Sequence, residues 1–254
     1  MTARVDEAYR DLSLARLYDA ECPWHEQDDF YLALDLRADA VLDVGCGTGT
    51  RLARTREVGH AGRLVGVDPG EGMLAVARGK TGRVEWVHGD AQTLAVDGRF
   101  DLVTMTGHAF QTLLDDVDTR AALAAFHSHL VDGGLLAFET RNPAVRPWLT
   151  WTAAASRGRI EGPDGEPYDV WVDSPQEVPP DLVTFDAHTH DVRAGTTRTC
   201  HSTLRFVDPE RLRGLLTEAG FTVEGWFGDW DRSPVTASSP EVVVLARRTQ
   251  VVTP

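Results

Sequence analysis

The chain has 254 residues, a hydrophobic content of 42% and a formal net charge of -14. This length is sufficient for one large domain with a full hydrophobic core. No apolar run approaches the roughly 18 residues of a membrane helix. The sequence also has no Lys/Arg cluster that would serve as the basic footprint of a nucleic-acid-binding protein. We therefore expect a small-molecule partner and neither nucleic acid nor membrane.

Two features of the sequence, the cysteines and the first twenty residues, indicate the cellular compartment in which the protein is expected. Cys22, Cys46 and Cys200 are scattered, without CxxC spacing. This pattern argues against a disulfide framework and against a cysteine zinc site. The first twenty residues are charged and amphipathic, whereas a signal peptide has a basic start followed by an unbroken apolar stretch. We expect a reduced, cytoplasmic protein.

After an N-terminal helical segment, short apolar runs alternate with helix-like segments as far as about residue 140. Strands are predicted at 41–44, 63–68, 83–87, 100–105 and 135–140, and helices at 50–58, 71–79 and 118–131. Strands that alternate with helices predict a parallel sheet covered by helices on both faces.

The pattern changes after residue 140. Seven prolines between residues 143 and 180 accompany the alternating stretches YDVWVDS, DLVTFDAHTHDV and TRTCHSTLRF, which predict a small antiparallel unit. DPERLRGLLTEAG predicts a helix with Asp208 as N-cap, Pro209 at the first helical position and Gly220 as C-cap. FTVEGWF and EVVVLARR predict two closing strands. The predicted parts are an N-terminal arm (1–34), an α/β core (35–142 and 206–254) and an inserted cap (143–205).

The stretch VLDVGCGTGT, residues 41–50, ends a predicted strand with a carboxylate and three glycines at alternate positions. Ligands of open parallel sheets bind beyond the carboxyl ends of the strands, and glycine lets the main chain approach them. Asp68 ends the next strand, where a carboxylate can accept hydrogen bonds from two ribose hydroxyls. The NAD fingerprint requires Gly or Ala where Thr50 stands. The pattern therefore favours a cofactor without phosphates, whose ammonium group Asp43 can help to hold.

These segments, together with GVDPGEGML, HGDAQTL, FDLVTMTGHAFQTL and LVDGGLLAFE, resemble the class I S-adenosylmethionine-dependent methyltransferases in order and spacing. LYDAECPWHEQDDFYL, ETRNP and GDWDRSPVTASSPEVVVLARR resemble a subgroup of bacterial small-molecule methyltransferases. The resemblance implies a Rossmann-like α/β fold with a seven-stranded sheet in the order 3-2-1-4-5-7-6 and an antiparallel last strand. It also implies these cofactor-binding positions: Asp43, Gly45, Cys46, Gly47, Gly49, Asp68, Pro69, Met73, Asp90, Ala91, Thr106 and Gly107.

Methyl transfer from a sulfonium is an in-line displacement, so the protein needs mainly to align donor and acceptor and to exclude water. The candidate catalytic residues are His108, in the loop after the fourth strand, and Tyr18, in the arm. If the last two strands are antiparallel, their connection lies on the active-site edge of the sheet. The candidate substrate-binding residues are Trp24, Tyr31, Phe110, Gln111, Glu139, Arg141, Asp229 and Trp230. Ordinary packing, or a salt-bridged strand end, is the alternative for several of them.

The run DAHTHD has the spacing of a metal site, because Asp186, His188 and His190 would share one face of a strand. No fourth ligand is evident, although His201 lies in a predicted neighbouring strand. We expect a solvated polar face and no metal.

Taken together, the residues and the resemblance predict an S-adenosylmethionine-dependent methyltransferase acting on a small molecule. A nitrogen acceptor is slightly favoured over oxygen, because several carboxylates lie near the predicted site and no metal constellation is evident. The alternatives are a catalytically silent cofactor-binding scaffold on the same fold, and an NAD-dependent oxidoreductase. The sequence leaves the oligomeric state open.

Overall fold

The computed structural model describes residues 6–249. The outermost residues of the predicted arm and core, 1–5 and 250–254, lie outside this range. Within it, eleven strands form one sheet of seven strands and one of four. None of the helices in the described range is long and apolar enough to cross a membrane.

The seven-stranded sheet has the order β10-β11-β5-β4-β1-β2-β3. Its strands are β1 (Ala40–Val44), β2 (Arg63–Asp68), β3 (Glu85–His88), β4 (Phe100–Met105), β5 (Leu130–Arg141), β10 (Phe221–Phe227) and β11 (Glu241–Arg248). Strands β1 to β5 are parallel, and β11 pairs antiparallel with both β5 and β10. The predicted order 3-2-1-4-5-7-6, with an antiparallel last strand, is confirmed.

One strand is longer than its apolar run predicts. Strand β5 begins at Leu130, whereas the sequence predicted it only from residue 135, after a Gly-Gly turn signal at residues 133–134. Gly133 has a φ of +74°, and the register with β4 shifts between Phe100 and Leu102. The turn signal therefore corresponds to an irregularity inside the strand.

Helices cover both faces of this sheet. These helices are α5 (Thr50–Glu57), α6 (Glu71–Lys80), α7 (Asp116–His129) and α9 (Pro209–Glu218). The short helix α8 (Ala153–Ser156) contacts Val172, in the other sheet, through Ser156. Helices α7 and α9 bury their apolar side chains in the larger core cluster, and Leu52 of α5 belongs to a second cluster. The Asp208 side chain caps α9 as predicted. The observed C-cap is Ala219, so the predicted cap residue Gly220, with a φ of +82°, lies one residue beyond it.

The smaller sheet is antiparallel throughout and has the order β6-β7-β8-β9. Its strands are β6 (Gly158–Glu161), β7 (Pro167–Val178), β8 (Leu182–Asp191) and β9 (Thr196–Arg205). The antiparallel unit expected from the alternating stretches is therefore present. The division into arm, core and cap stays a prediction.

The N-terminal segment contacts both sheets. It contains α1 (Glu7–Arg10), α2 (Leu12–Ala15), α3 (Tyr18–Glu21) and α4 (Glu26–Asp35). Arg198 of β9 donates to Asp11 and Glu7. Asp19 accepts from Thr48 beside the glycine loop and pairs with Lys80 at 2.5 Å. These contacts hold the arm between the second sheet and the carboxyl edge of the first.

Candidate active site

The glycine loop after β1 is closed by its own hydrogen bonds. Gly45 and Cys46 both donate their N–H groups to the carbonyl of Val67, at 2.8 and 3.0 Å. Gly47 donates to the Asp68 carboxylate and Gly49 to the Cys46 carbonyl. A pyrophosphate needs free main-chain N–H groups. Because these four are already used, and because a carboxylate lies beneath the loop, the arrangement suits a cofactor without phosphates.

The three glycines of the loop share a left-handed backbone but differ in what a side chain at each position would contact. All three have φ between +54° and +74°, a region that other residues rarely adopt. A Cβ on Gly49 would lie 2.3 Å from the indole of Trp86, so this glycine allows helix and sheet to pack. A Cβ on Gly47 would meet nothing closer than Tyr18, at 3.9 Å. Gly107, in the loop after β4, faces the Tyr18 hydroxyl at the same distance. Tyr18 therefore lies over both Gly47 and Gly107, and the space between its ring and this main chain is about as wide as a methyl group.

Asp68 ends β2 below this space. Its carboxylate accepts from the N–H groups of Gly47, at 2.8 Å, and Gly70, at 2.7 Å. The side chain is 6% exposed, and within the described residues no Lys, Arg or His nitrogen lies within 4 Å of it. Burial raises the pKa of Asp68 to about 6. A buried carboxylate without a cationic partner is a strong acceptor for hydroxyl groups, as the ribose of S-adenosylmethionine requires.

The other predicted cofactor positions lie around the same edge. Met73 and Ala91 are buried apolar residues, and the Pro69 carbonyl contacts the ring of His88. The thiol of Cys46 lies against β2, because a Cβ on Gly66 would approach its sulfur to 2.9 Å. The carboxylate of Asp90 accepts from both the N–H and the hydroxyl of Thr93, at 2.7 Å. This last contact is turn chemistry, the alternative reading for that residue.

Asp43 belongs to a buried ionic network that the sequence does not reveal. Arg51, in the first turn of α5, reaches Asp43 at 2.7 Å and Asp35 of α4 at 2.5 Å. Thr104 donates to Asp43, and Thr55 donates to Asp35. All five side chains are buried. The network joins the arm, the glycine loop and β4, and both recorded partners of Asp43 lie on its Oδ1 atom.

His108 is held by two glutamates at the ends of neighbouring strands. Its φ of +59° is left-handed, and its N–H donates to Glu139 of β5 at 2.6 Å. Its Nε2 atom lies 3.0 Å from both carboxylate oxygens of Glu241, the first residue of β11. Within the described chain no protein atom is hydrogen-bonded to the Nδ1 atom. The sequence pointed to the β10–β11 connection but not to Glu241, which lies immediately after it.

Glu139 is buried beneath an aromatic cluster. The hydroxyl of Tyr31 donates to it at 2.5 Å, and burial raises the pKa of Glu139. Phe30, Tyr31 and Trp230 pack edge to face, with ring centroids 5.3 to 5.8 Å apart. The predicted aromatics from the arm and from the last hairpin are therefore brought together. Tyr31 is fully buried, so its hydroxyl orients Glu139 from below.

Phe110 and Gln111, in the loop after β4, both have buried side chains. Phe110 stacks on Phe138 at 4.1 Å and is part of the core. Gln111 is also buried, and its amide donates to the carbonyl of Arg205 at 3.0 Å. Its carbonyl oxygen accepts from Arg141 at 2.8 Å. Gln111 thus fixes Arg141 at the end of β5.

Three predicted residues have local partners. The indole of Trp24 donates to Asp29 of the same arm, at 2.9 Å. Asp229 accepts from the N–H of Trp230, which is a turn contact. Thr106 accepts from the N–H of Ala109 at 3.3 Å. In residues 6–249 none of the three is hydrogen-bonded to His108, and the Thr106 contact is made by its main-chain carbonyl. The roles assigned to all predicted site positions remain predictions.

The DAHTHD segment lies on β8, where Asp186 and His188 share a face with Asp173 of β7. Ligand atoms of these three residues lie within 4.8 Å of one another. His188 pairs with Asp173, and His201, which is 81% exposed, pairs with Asp186. The neighbouring residues Arg198 and Ser202 contact the arm, so this face is directed away from it. The absence of a metal there stays a prediction.

Comparisons with known proteins agree with this geometry. Residues 41–134 match a protein family described as "Methyltransferase domain". The cypemycin N-terminal methyltransferase of Streptomyces sp. is 28% identical over 211 residues, which cover 82% of each chain. The sugar N-methyltransferase KedS8 from Streptoalloteichus sp. ATCC 53650 has a TM-score of 0.74 at 19% identity and covers 98% of each chain. The structure of SAM-bound CalS10, an amino pentose methyltransferase from Micromonospora echinaspora, has a TM-score of 0.69 at 22% identity and covers 97% of this chain and 100% of that one.

Proposed function

The chain belongs to the class I S-adenosylmethionine-dependent methyltransferases, and we propose that it methylates an amine nitrogen of its small-molecule acceptor. S-adenosylmethionine is its cofactor, and S-adenosylhomocysteine is the product of transfer. The alternatives of an NAD-dependent oxidoreductase and of a silent scaffold are therefore set aside. Attack on nitrogen and the roles of individual residues are the new part of this proposal.

The residues at the sheet edge fit the cofactor. When bound, S-adenosylmethionine supplies an electrophilic methyl group on a sulfonium. The buried carboxylate of Asp68 would accept from the ribose hydroxyls, and Asp43 would contribute to holding the ammonium group. Gly47 and Gly107 would present bare main chain to the cofactor, and Tyr18, which lies over both glycines, would cover it. The arm then excludes water from the site, which favours displacement at the methyl carbon over competing reactions.

The observation that carries the nitrogen proposal is the contact between His108 and Glu241. A carboxylate beside Nε2 favours a proton on that atom, which leaves the lone pair on Nδ1. Because Nδ1 has no protein partner, it is free to accept a proton from an incoming ammonium group. Glu139 and Glu241 also place two carboxyl groups at this edge, which favours a cationic acceptor. Two relatives whose names specify N-methylation support the same choice.

The test compares acceptors that differ only at the attacking atom. Purified full-length protein is incubated with S-adenosylmethionine and pairs of amines and alcohols on the same carbon skeleton, and acceptor-dependent S-adenosylhomocysteine is measured. We expect turnover of amines, with a loss of about 100-fold or more in H108Q. H201Q, an exposed histidine of the second sheet, is the matched control and should retain full activity. Methylation of the alcohols but not of the amines would contradict the proposal.

A further inference from the structure

Arg141 is a partly buried cation that its own protein does not neutralise at close range. It ends β5, and one of its nitrogens donates to the Gln111 carbonyl oxygen at 2.8 Å. Its guanidinium also lies 5.7 Å from the ring centre of Trp151. Within residues 6–249, no Asp or Glu oxygen lies within 4.0 Å of it. A guanidinium carries five N–H donors, so a single neutral acceptor leaves most of its capacity unused.

The three buried arginines of the described chain each have several acceptors, whereas Arg141 has one. Arg56 donates to three main-chain carbonyls. Arg51 pairs with two carboxylates, and Arg205 pairs with Asp116 and Asp181, both at 2.7 Å. In a protein with a formal net charge of -14, carboxylates are abundant partners. Burial of a charge without a partner is costly. An arginine without a carboxylate partner at a sheet edge therefore points to a ligand that supplies the missing hydrogen-bond acceptors.

The surroundings place Arg141 beside the proposed reaction site. Its cross-strand partner is Glu241, whose carboxylate binds the ring of His108. Burial lowers the pKa of Arg141, and the carboxylates of Glu241 and Glu139 act against that shift from beyond ion-pair distance, with the phenols of Tyr9 and Tyr18 also nearby. The guanidinium therefore lies on the side of the sheet edge that the arm covers. Gln111, which is anchored in the core, prevents it from swinging away.

We propose that Arg141 binds an oxyanion, a carboxylate or a phosphate, on the methyl acceptor. This inference rests on the proposed function, because it assigns the second recognition point of the same acceptor. The acceptor would then be bifunctional, with its amine at His108 and its oxyanion at Arg141. The planar guanidinium suits bidentate recognition of either oxyanion.

The first test uses inorganic phosphate and acetate as probes. Full-length protein saturated with S-adenosylhomocysteine is titrated with each anion, and the fluorescence of Trp151 next to Arg141 reports binding, with W151F identifying its signal. R141Q is expected to weaken binding of the preferred anion by about tenfold or more. R141K should lose less, and R54Q, an exposed arginine of α5, should bind like the unmodified protein. Stronger binding of phosphate than of acetate, or the reverse, identifies which oxyanion the site takes.

The outcomes separate this inference from the proposed function. Failure to bind S-adenosylhomocysteine would contradict the cofactor assignment itself. Normal cofactor binding with anion binding equal in R141Q and the unmodified protein would overturn the inference alone. A weakened affinity of R141Q for S-adenosylhomocysteine, with unchanged affinity for 5′-methylthioadenosine, would assign Arg141 to the cofactor carboxylate and would also overturn it. Unchanged cofactor affinity in R141Q shows at the same time that the variant is folded.

Discussion

Glu241 and Arg141 lie directly opposite each other on β11 and β5, yet the Glu241 carboxylate binds the ring of His108 and not the guanidinium. A cross-strand pair of opposite charge ordinarily forms an ion pair. Here the two side chains do not pair with each other. The Glu241 carboxylate orients the imidazole of His108, and the Arg141 guanidinium remains available to a ligand.

The role of Glu241 is testable through kinetics. In E241Q an amide replaces the carboxylate that orients the His108 ring and favours a proton on its Nε2 atom, so we expect kcat to fall by about 10- to 100-fold. The affinity for S-adenosylhomocysteine should change little, because in the described residues the Glu241 carboxylate binds His108 and is not hydrogen-bonded to Asp68 or the glycine loop. E241D, which keeps the charge, should recover part of the rate. A fall in cofactor affinity without a fall in kcat would show a purely structural role.

The raised pKa of Asp68 predicts a pH dependence of cofactor binding. Burial raises this pKa to about 6, so the carboxyl becomes protonated as the pH falls below that value. A protonated carboxyl accepts ribose hydroxyls poorly, and the affinity for S-adenosylhomocysteine should fall by up to about tenfold per pH unit below 6. Calorimetric titration between pH 5 and pH 8 measures this. D68N should bind weakly at every pH, and equal affinity of the unmodified protein at both limits would refute the assignment.

The same pKa has a consequence for folding. It lies above the usual value of 3.8, so this group favours the folded state at low pH and loses that contribution as the pH rises through about 6.

Two glycines of one loop should respond differently to alanine. G49A places a methyl group 2.3 Å from the Trp86 ring at a φ of +70°, and we expect a loss of about 3 kcal/mol or more in unfolding free energy. G47A has the same left-handed strain, but its methyl group meets only Tyr18, at an ordinary contact distance of 3.9 Å, so about 1–2 kcal/mol is expected. Urea denaturation gives both values. Relative to its loss of unfolding free energy, G47A should lose more affinity for the cofactor than G49A, and calorimetry measures that affinity. Equal losses of unfolding free energy in the two variants would contradict the packing role of Gly49.

Arg51 should be the residue of α5 that stability depends on most. R51M leaves Asp35 and Asp43 as buried charges without a cation, and the expected loss is about 3–5 kcal/mol. R54M, on the exposed face of the same helix, should change stability by no more than about 0.5 kcal/mol. Because burial already raises the pKa of Asp35, acidification should protonate that carboxyl and restore part of the stability of R51M. A variant as stable as R54M would show that the network is dispensable.

The parallel sheet was predictable because each strand is a short apolar run and each turn carries glycine or aspartate. The glycine loop and Asp68 were predictable for a related reason: the edge of a parallel sheet collects the residues that follow its strands. The pairing of Arg51 with Asp35 and Asp43, and that of Glu241 with His108, were not predictable from the sequence. Glu241 pairs with a histidine 133 residues away, and Arg51 pairs with carboxylates on two other elements. A charged residue in an amphipathic helix or at a strand end is most often solvated. Only packing shows that Arg51 faces inward and that β11 begins beside His108.

The most direct test of the account is the position of the transferred methyl group. Full-length protein is supplied with S-adenosylmethionine labelled with ¹³C at the methyl carbon, together with an amino alcohol that offers both atoms, and the product is examined by carbon NMR. We predict the label at the chemical shift of an N-methyl group, with the signal lost in H108Q and retained in H201Q. A label at the shift of an O-methyl group, or equal labelling by H108Q, would contradict the account.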